Sequence, residues 1–230
     1  MKVAVTGSTG LIGSALVDAL TVAGHRVTRL VRSEPREGEV AWDLAAATID
    51  TAGLEGHDAV VHLAGESIAG RWTPSRKARI VDSRLRGTLL LSHTLARLKH
   101  PPAVLVSASA VGFYGDRGDE ALTEESAGGK GFLPEVCRAW ESAAQPARTR
   151  GIRVVHPRFG VVLSRRGGAL ARMLPLFRFG LGGPVGSGRQ FMSWIALDDA
   201  VRAVEHILAQ PSLAGPVNVV APQPATNAEF

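Results

Sequence analysis

The chain has 230 residues, 45% of them hydrophobic and 20% charged, so it can bury the core of one large α/β domain, with or without a small lobe. No apolar run approaches the roughly 20 residues that span a bilayer, and the amino terminus lacks the ordered regions of a signal peptide. A single cysteine, Cys137, excludes an internal disulfide framework and a cysteine-clustered zinc site. We therefore expect a cytoplasmic protein with no membrane association and no metal site.

The net charge of +5 raises the question of a nucleic-acid partner. Arginines are scattered along the whole chain, no run of five basic residues occurs, and aromatic residues make up 5% of the sequence. Because stacking on bases needs aromatic side chains and phosphate binding needs clustered cations, we predict no nucleic acid among the partners. A basic cleft would instead attract anionic small molecules.

Short β-rich segments alternate with longer helical ones from the first residue, which is the pattern of a parallel sheet covered on both faces. The predicted strands are Lys2–Thr6, Arg26–Arg32, a short one at "VAWDL", Asp58–Gly65, Ala103–Ser109 and the beginning of "IRVVHPRFGVVL". The predicted helices are "LIGSALVDALTVAG", closed by Gly24, and the segments 74–98, 135–147 and 198–208. The sequence therefore predicts an α/β fold with a Rossmann-type, doubly wound parallel sheet.

The residue composition changes after Leu163, where a glycine-rich segment follows. The segment "GLGGPVGSGRQFMSWI" is too rich in glycine for a regular element and suits a lobe folded over the carboxyl edge of the sheet. We predict a core over residues 1–163 and a small substrate lobe over 164–230, interleaved with the last core strands. Thr226 and Glu229 have the spacing of a capping box at a helix start, so we expect further carboxyl-terminal sequence; the alternative is a coincidental pair in a frayed tail.

The stretch "VTGSTGLIGSAL" spaces Gly7, Gly10 and Gly13 by three residues between a strand and a helix. The first glycine permits a tight turn, the second lets the backbone approach a diphosphate, and the third lets the helix pack closely on the strand. The free N–H groups at the helix start then face the anion. The predicted contacts to a dinucleotide are Gly7, Ser8, Thr9, Gly10, Leu11, Ile12 and Gly13.

The end of the second strand indicates which dinucleotide is bound. A carboxylate there accepts hydrogen bonds from the ribose of NAD, whereas a 2′-phosphate needs a cation. Arg32 stands at that position, so the sequence predicts NADP(H); Glu34 would weaken this prediction if the turn were one residue longer. The alternative role for Arg32 is a solvated surface residue.

Other cofactor contacts are predicted at the ends of the central strands. The strand end Leu63-Ala64-Gly65 is small enough for the backbone to lie against the adenosine half of the cofactor, and we also predict a contact at Ser107 in the following strand. We expect His62 to point into the sheet or its covering helix. Of the two arginines Arg79 and Arg84 on the next helix, only one should reach the phosphates, because a five-residue spacing puts them on different faces.

With TGxxGxxG, a strand ending in Leu-Ala-Gly and "SASAVGFYG", the chain resembles an extended or atypical member of the short-chain dehydrogenase/reductase superfamily. The segments "GESIAGRWT", "SRLRGT" and "GPVNVVAPQPATNAEF" resemble more narrowly the epimerase family proteins, which are NAD-dependent epimerase/dehydratase-like and whose substrate is generally unassigned. The resemblance implies NADP(H) binding, a small carboxyl-terminal substrate lobe, a longer chain and a homodimer. It also implies that Arg84 is the second phosphate contact and that Asp43 contacts the adenine.

The superfamily's proton-transfer pair, a tyrosine followed four residues later by a lysine, is absent. In "GFLPEVCRAWE" the matching positions hold Leu133 and Cys137, and four residues after the only tyrosine, Tyr114, comes Gly118. A leucine cannot transfer a proton, and the cysteine supplies no positive charge. We expect Cys137 to be buried and unreactive, since an activated cysteine needs a nearby base or cation.

Two candidates for proton transfer remain. Ser109 occupies the position of the substrate-orienting serine that the resemblance implies, and Tyr114 follows on the loop; the alternative for Tyr114 is a ring packed on that loop. The first hypothesis is therefore an NADP(H)-dependent oxidoreductase or epimerase-like enzyme with an altered acid/base arrangement, acting on an unidentified small molecule. The alternative is a non-catalytic NADP(H)-binding regulatory or scaffold protein.

Overall fold

The computed structural model describes all residues 1–230, and a nine-stranded sheet lies at its centre. The strands of the molecule are, in chain order, β1 (Lys2–Thr6), β2 (Arg26–Val31), β3 (Glu39–Asp43), β4 (Thr48–Ile49), β5 (Ala59–His62), β6 (Val104–Ser107), β7 (Ser109–Ala110), β8 (Arg153–Phe159), β9 (Val161–Ser164), β10 (Phe191–Met192), β11 (Trp194–Ala196), β12 (Gly215–Val219) and β13 (Ala225–Thr226). The helices are α1 (Leu11–Val22), α2 (Pro74–Arg97), α3 (Phe132–Ser142), α4 (Gln145–Thr149), α5 (Gly168–Arg178) and α6 (Leu197–Ala209).

The order of the central sheet is that of a doubly wound fold. It runs β12-β8-β6-β5-β1-β2-β3-β4, parallel throughout except for β4, and β7 pairs with β8 beside β6. The chain builds outward from β1 to β2 and β3, then returns to β5 on the other side of β1. The predicted Rossmann-type sheet is confirmed, and its reversal point places the ligand crevice at the carboxyl ends of β1 and β5.

The core forms two layers because both faces of a parallel sheet are covered by helices. On one face, α1 and α6 bury Leu16, Leu20 and Val204 against alternate residues of the strands. On the other face, α2 and α4 bury Leu91 and Leu95 with Ala147. The strands are therefore nearly continuous apolar runs, which is why the sequence pattern identified them.

Two helix predictions differ from the structure. The helix predicted over 135–147 is two helices, α3 and α4, and Pro146 lies in the first turn of α4, where a proline is accommodated without losing a helical hydrogen bond. Helix α5 has no counterpart among the predicted helices; Pro175 lies within it, and Gly167 and Gly168 precede or open it. By contrast, the predicted start at residue 74 is correct, since the Thr73 side chain accepts a hydrogen bond from the Arg76 N–H.

The glycine-rich segment after α5 was expected to lack regular structure, and that expectation is wrong in part. It contains β10, which pairs with β13, and β11, which pairs with β9. These pairings join residues more than 30 apart in sequence, so local propensity does not reveal them.

Residues beyond 163 contribute to two parts of the molecule. Helix α6 and strand β12 belong to the main layers, whereas α5 and the strand pair β10–β13 lie outside the central sheet. The predicted division at residue 163 stays a prediction, and any lobe is interleaved with the core.

Both reciprocal bonds of the expected capping box form, from the Thr226 N–H to Glu229 Oε2 (2.9 Å) and from the Glu229 N–H to Thr226 Oγ1 (3.4 Å). None of the helices combines the length and apolar character needed to cross a membrane.

Candidate functional site: a dinucleotide cleft at the carboxyl edge of the sheet

The glycines after β1 form a cradle that no side chain could occupy. Gly7 has a positive φ of 66°, and a Cβ there would lie 2.7 Å from the carbonyl carbon of Leu63. A Cβ on Gly13 would overlap the carbonyl oxygen of Gly7. The turn and the close packing of α1 on β1 therefore both require glycine, as the spacing of these residues predicts.

The cradle leaves backbone donors free at the start of α1. The first N–H groups of α1 have no helical acceptors, and Gly10, the N-cap, has no side chain that could accept from them. Thr9, Gly10 and Leu11 line a cavity of about 340 Å³ in front of these donors. An anion is stabilised at such a position by the donors and by the helix dipole, so these residues fit the diphosphate of a dinucleotide.

Arg32 and Asp43 lie where β2 and β3 end. Arg32 directly follows β2, its side chain is exposed, and it forms no ion pair. Asp43 Oδ1 accepts hydrogen bonds from the N–H groups of Ala45 (2.8 Å) and Ala46 (3.0 Å), so one carboxylate oxygen closes the turn after β3. Arg32 therefore has a free guanidinium at this edge, whereas the Asp43 side chain is already partly engaged.

A buried polar chain that sequence reasoning missed holds the end of β5. Thr6 Oγ1 accepts from the N–H groups of Leu63 (3.2 Å) and Ala64 (3.3 Å) and lies 2.7 Å from His62 Nδ1. His62 Nε2 lies 3.0 Å from Thr88 Oγ1 on α2. Because Thr6 Oγ1 accepts both amides, its proton is left for Nδ1, and the imidazole donates from Nε2.

Burial, aided by the charge of Arg84, lowers the pKa of His62 to about 4. The imidazole is therefore neutral and acts as a fixed connector between β1 and α2. This confirms that His62 points into the sheet and its covering helix rather than at a ligand. The chain Thr6–His62–Thr88 positions the backbone of Leu63 and Ala64 against Gly7.

Arg84 projects from α2 to the same edge. Its Nη1 donates to the carbonyl oxygens of Glu66 (2.9 Å) and Ile80 (3.3 Å), and its guanidinium lies 4.8 Å from the centre of the Trp140 ring. A Cβ on Gly65 would lie 3.3 Å from Arg84 Cζ, so the guanidinium covers Gly65 directly. Burial lowers the pKa of Arg84 from its ordinary value. Arg79 is exposed on another face of α2, which leaves Arg84 as the arginine at the cleft.

Ser107, the last residue of β6, is fully buried, and its hydroxyl has no hydrogen-bond partner. Its carbonyl oxygen lies 3.2 Å from Nδ1 of His156 on β8. Burial lowers the pKa of His156 to about 4, against the opposing charge of Glu141. The side chain of Ser107 is therefore part of a buried polar layer beneath α3 and α4, and its contact with a cofactor stays a prediction.

Ser109 belongs to a hydrogen-bonded chain with Glu141 and Arg158. The Ser109 hydroxyl donates to Glu141 Oε1 at 2.7 Å, while Arg158 Nε and Nη2 donate to the two carboxylate oxygens at 2.9 Å each. Burial alone would raise the pKa of Glu141, but the hydrogen bonds from Arg158 and Ser109 outweigh it and hold that pKa below its usual range. The carboxylate is therefore ionised, and it orients the serine hydroxyl.

Tyr114 is held by the same arginine. Its hydroxyl donates to Asn218 Oδ1 (2.7 Å) and accepts from Arg158 Nη1 (2.9 Å), and its side chain is buried. The Arg158 guanidinium also stacks on Phe113, 3.5 Å from the ring centre. The ring packs on the loop, which is the alternative considered for it from sequence, and its hydroxyl bridges two elements of the core.

Leu133 and Cys137 face the turn between β7 and Tyr114. A Cβ on Gly112 would lie 3.6 Å from Leu133 Cβ and 3.9 Å from Cys137 Sγ. Burial, with the nearby charge of Glu141, raises the pKa of the Cys137 thiol to about 11. The thiol is therefore protonated and unreactive at neutral pH, as expected from the sequence.

The contacts of Glu141 and Arg158 with Ser109 escape sequence reasoning, although both residues lie within predicted elements. The signal was available in the buried part of β8, where His156 and Arg158 interrupt the apolar residues at alternating positions. A charged residue within a fully buried strand requires a partner of opposite charge. Only the tertiary fold shows that this partner is Glu141 on α3.

Comparisons with known proteins indicate which family the chain belongs to. A family model described as the NAD dependent epimerase/dehydratase family matches residues 3–220. An epimerase family protein of Mycobacterium bovis is 49% identical over 230 residues, which cover 99% of this chain and 76% of that protein. The crystal structure of human epimerase family protein SDR39U1 (isoform 2) with NADPH has a TM-score of 0.88 at 38% identity, covering 100% of this chain and 77% of that one.

The crystal structure of the nucleoside-diphosphate sugar epimerase from Corynebacterium glutamicum has a TM-score of 0.89 at 44% identity. The match covers 99% of this chain and 48% of that one, so this chain spans about half the length of that protein. The family model covers almost the whole sequence, and the Mycobacterium bovis and human relatives are 49% and 38% identical to this chain. The chain therefore belongs to the NAD dependent epimerase/dehydratase family.

Proposed function

We propose that the chain binds NADP(H) and acts as an oxidoreductase or epimerase-like enzyme on a small molecule. The observation that carries this proposal is the cradle of Gly7, Gly10 and Gly13, which leaves the first backbone donors of α1 free to fit a diphosphate, with Arg32 at the end of the neighbouring strand. The human relative that was crystallised with NADPH supports the choice of cofactor.

Selection of the phosphorylated cofactor rests on Arg32. The guanidinium is exposed and has no carboxylate partner, so it is free to bind a 2′-phosphate at the carboxyl edge of β2. A charge-assisted hydrogen bond contributes about 1.5–3 kcal/mol, or roughly tenfold to more than a hundredfold in affinity. An unphosphorylated ribose gains no such contact, so NADH should bind independently of Arg32.

Ser109 is the side chain best prepared to handle a substrate hydroxyl. A bound nicotinamide supplies or accepts the hydride in this family of reactions. The Ser109 proton is directed at Glu141, so the serine oxygen keeps its lone pairs for a hydroxyl donated by the substrate. Arg158 keeps Glu141 ionised, and the hydrogen bond to Glu141 therefore orients Ser109 so that its oxygen can accept a hydrogen bond.

Tyr114 is less suited to this role. Both hydrogen bonds of its hydroxyl are made within the protein, to Asn218 and from Arg158. Donating a proton to a substrate would require the bond to Asn218 to be broken. Tyr114 and Ser109 are equally buried, at 3% exposure each, so the internal hydrogen bonds and not burial separate the two residues. We therefore favour Ser109 over Tyr114 as the group that contacts the substrate.

The second candidate function is NADP(H) binding without turnover. It is favoured by one observation: the sequence contains no tyrosine followed four residues later by a lysine. Leu133 and Cys137, which the family resemblance places at those positions, cannot exchange a proton at neutral pH. Such a protein would keep the cradle and Arg32 but would not depend on Ser109. The two candidates differ only in turnover, so cofactor binding tests what they share.

Calorimetric titration with NADPH and NADH tests cofactor binding. We expect Arg32→Ala to weaken NADPH binding by roughly tenfold to a hundredfold and to leave NADH binding nearly unchanged, because only the 2′-phosphate is lost as a partner. Arg26→Ala is the matched control, since Arg26 is an exposed arginine at the opposite end of the same strand. Equal losses for the two cofactors would mean that Arg32 has a structural role. No heat with either cofactor in the unsubstituted protein would refute the proposal.

A further inference from the structure

The cavity in front of α1 is closed on its far side by the turn between β9 and α5. Nine residues line the cavity, and three of them, Arg166, Gly167 and Gly168, come from this turn and the first residue of α5. Arg166 is the only charged residue among the nine. The remaining lining residues are Thr9, Gly10, Leu11, Ser14, Ala15 and Leu197. An anion in this cavity would therefore meet one cation and no carboxylate.

The turn has a defined shape. Ser164 and Gly167 pair across it, as do Leu163 and Gly168, so Arg165 and Arg166 form a two-residue loop. The Arg166 N–H donates to Ser164 Oγ at 3.1 Å. The turn is seated against the cradle, because a Cβ on Gly168 would lie 3.1 Å from a methyl group of Leu11. Gly168 has a positive φ of 75°, which favours glycine where α5 begins.

Arg166 is free to bind a ligand. Its guanidinium forms no ion pair, and its side chain is exposed beside the first turn of α1. Arg165, its neighbour in the loop, is also exposed but does not line the cavity. The two arginines therefore have the same charge and nearly the same sequence position, while only one faces the cradle.

We propose that Arg166 contacts the diphosphate of the dinucleotide and closes the cofactor site from the side opposite the glycine cradle. This inference rests on the proposed function, since it assigns a further residue to the same cleft. It adds a third cation to the cofactor site beside Arg32 and Arg84: Arg32 binds the 2′-phosphate that distinguishes NADP(H), and Arg166 binds the diphosphate that all nicotinamide and adenine dinucleotides share.

The test is calorimetric titration of the full chain with NADPH, NADH and ADP-ribose, which all contain the diphosphate. We expect Arg166→Ala to weaken all three by the same factor, roughly tenfold to a hundredfold, because the lost contact is a charge-assisted one. Arg166→Lys should recover part of the affinity, since lysine keeps the charge but not the planar fork. Arg165→Ala, the matched control, should bind all three as the unsubstituted protein does. The thermal unfolding midpoint without ligand should be the same for all variants.

Three results would overturn the proposal. Unchanged affinity in Arg166→Ala would show that the turn does not contact the ligand. A loss confined to NADPH would assign Arg166 to the 2′-phosphate, and an equal loss in Arg165→Ala would indicate a general effect of surface charge. If the unsubstituted protein binds none of the three ligands, the proposed function itself fails, and the role of Arg166 fails with it.

Discussion

The sequence offers both Ser109 and Tyr114 as candidates for proton transfer, but the structure places them in different surroundings. Both lie on the segment that follows β6 and both carry a hydroxyl, yet Ser109 makes one hydrogen bond, to Glu141, whereas Tyr114 makes two within the core. A hydroxyl with a spare acceptor site can bind a substrate, and one with both directions occupied stabilises the fold. The roles that we propose for the two residues therefore depend on single hydrogen bonds.

Turnover can be assigned to one of these hydroxyls by substitution. In a screen of aldehydes, ketones and nucleotide sugars with NADPH, we expect Ser109→Ala to lower kcat/KM of a detected activity by about 100-fold or more, with NADPH affinity unchanged. Tyr114→Phe should retain most of that activity, because its hydroxyl faces Asn218 and Arg158. The opposite order would reassign the substrate contact to Tyr114. Tight NADPH binding with no activity throughout the screen would support the non-catalytic alternative.

At the scale of elements, one buried ion pair connects α3 to β8. Glu141 and Arg158 retain 14% and 4% of their side-chain exposure, and they are joined by two hydrogen bonds. Removing one partner of such a pair leaves the other charged and unpaired in the interior. The ion pair therefore holds α3, which carries Leu133 and Cys137, against β8.

Stability measurements on Glu141→Gln test this connection. We expect the free energy of unfolding in urea to fall by about 3 kcal/mol at pH 7, because the variant leaves Arg158 without a countercharge. The pKa of Glu141 is lowered in the folded protein, so its stabilising effect is present above the ordinary carboxyl pKa and is lost as pH falls through the folded value. The gap between variant and unsubstituted protein should therefore narrow below about pH 4. Glu135→Gln, an exposed position on the same helix, should change stability little, and a similar loss there would argue against a specific pair.

At the scale of the whole molecule, two neutral histidines lie within the layer that α2, α3 and α4 cover. His62 and His156 are 0% and 2% exposed, and burial lowers the pKa of each to about 4. The unfolded chain takes up protons at both near pH 6.5, while the folded protein does so only near pH 4. Stability from these groups is thus fully present above pH 6.5 and is lost as the pH falls toward 4.

The dependence of the free energy of unfolding on pH checks this conclusion. We expect stability in urea to fall between pH 6.5 and pH 4, with each histidine contributing about 3 kcal/mol over that interval. His62→Gln should remove about half of the slope. His93→Gln is the control, since His93 is exposed on α2 and should leave the slope unchanged. A flat profile from pH 7 to pH 5 would show that these histidines titrate normally.

The elements with a strong local signal were predictable, and the short ones were not. Strand β1 and helix α1 follow from apolar runs and from Gly24 after the helix, and the start of helix α2 at Pro74 agrees with the predicted segment 74–98. The strands β10 and β11 exist because they pair with residues distant in sequence. The same contrast holds within the site, where the spacing of Gly7, Gly10 and Gly13 identified the cradle, but nothing local linked Ser109 to Glu141.

The sequence by itself determined the doubly wound sheet, the position of the glycine cradle and the absence of the tyrosine–lysine pair. These features depend on local periodicity, on backbone conformations that favour glycine, and on residue identity, all of which can be read without coordinates. Only the tertiary structure decided that Glu141 and Arg158 orient Ser109, that Thr6 and His62 hold the end of β5, and that Arg166 faces the cradle. Each of these arrangements joins residues from separate elements, and their distances are set by packing rather than by spacing along the chain.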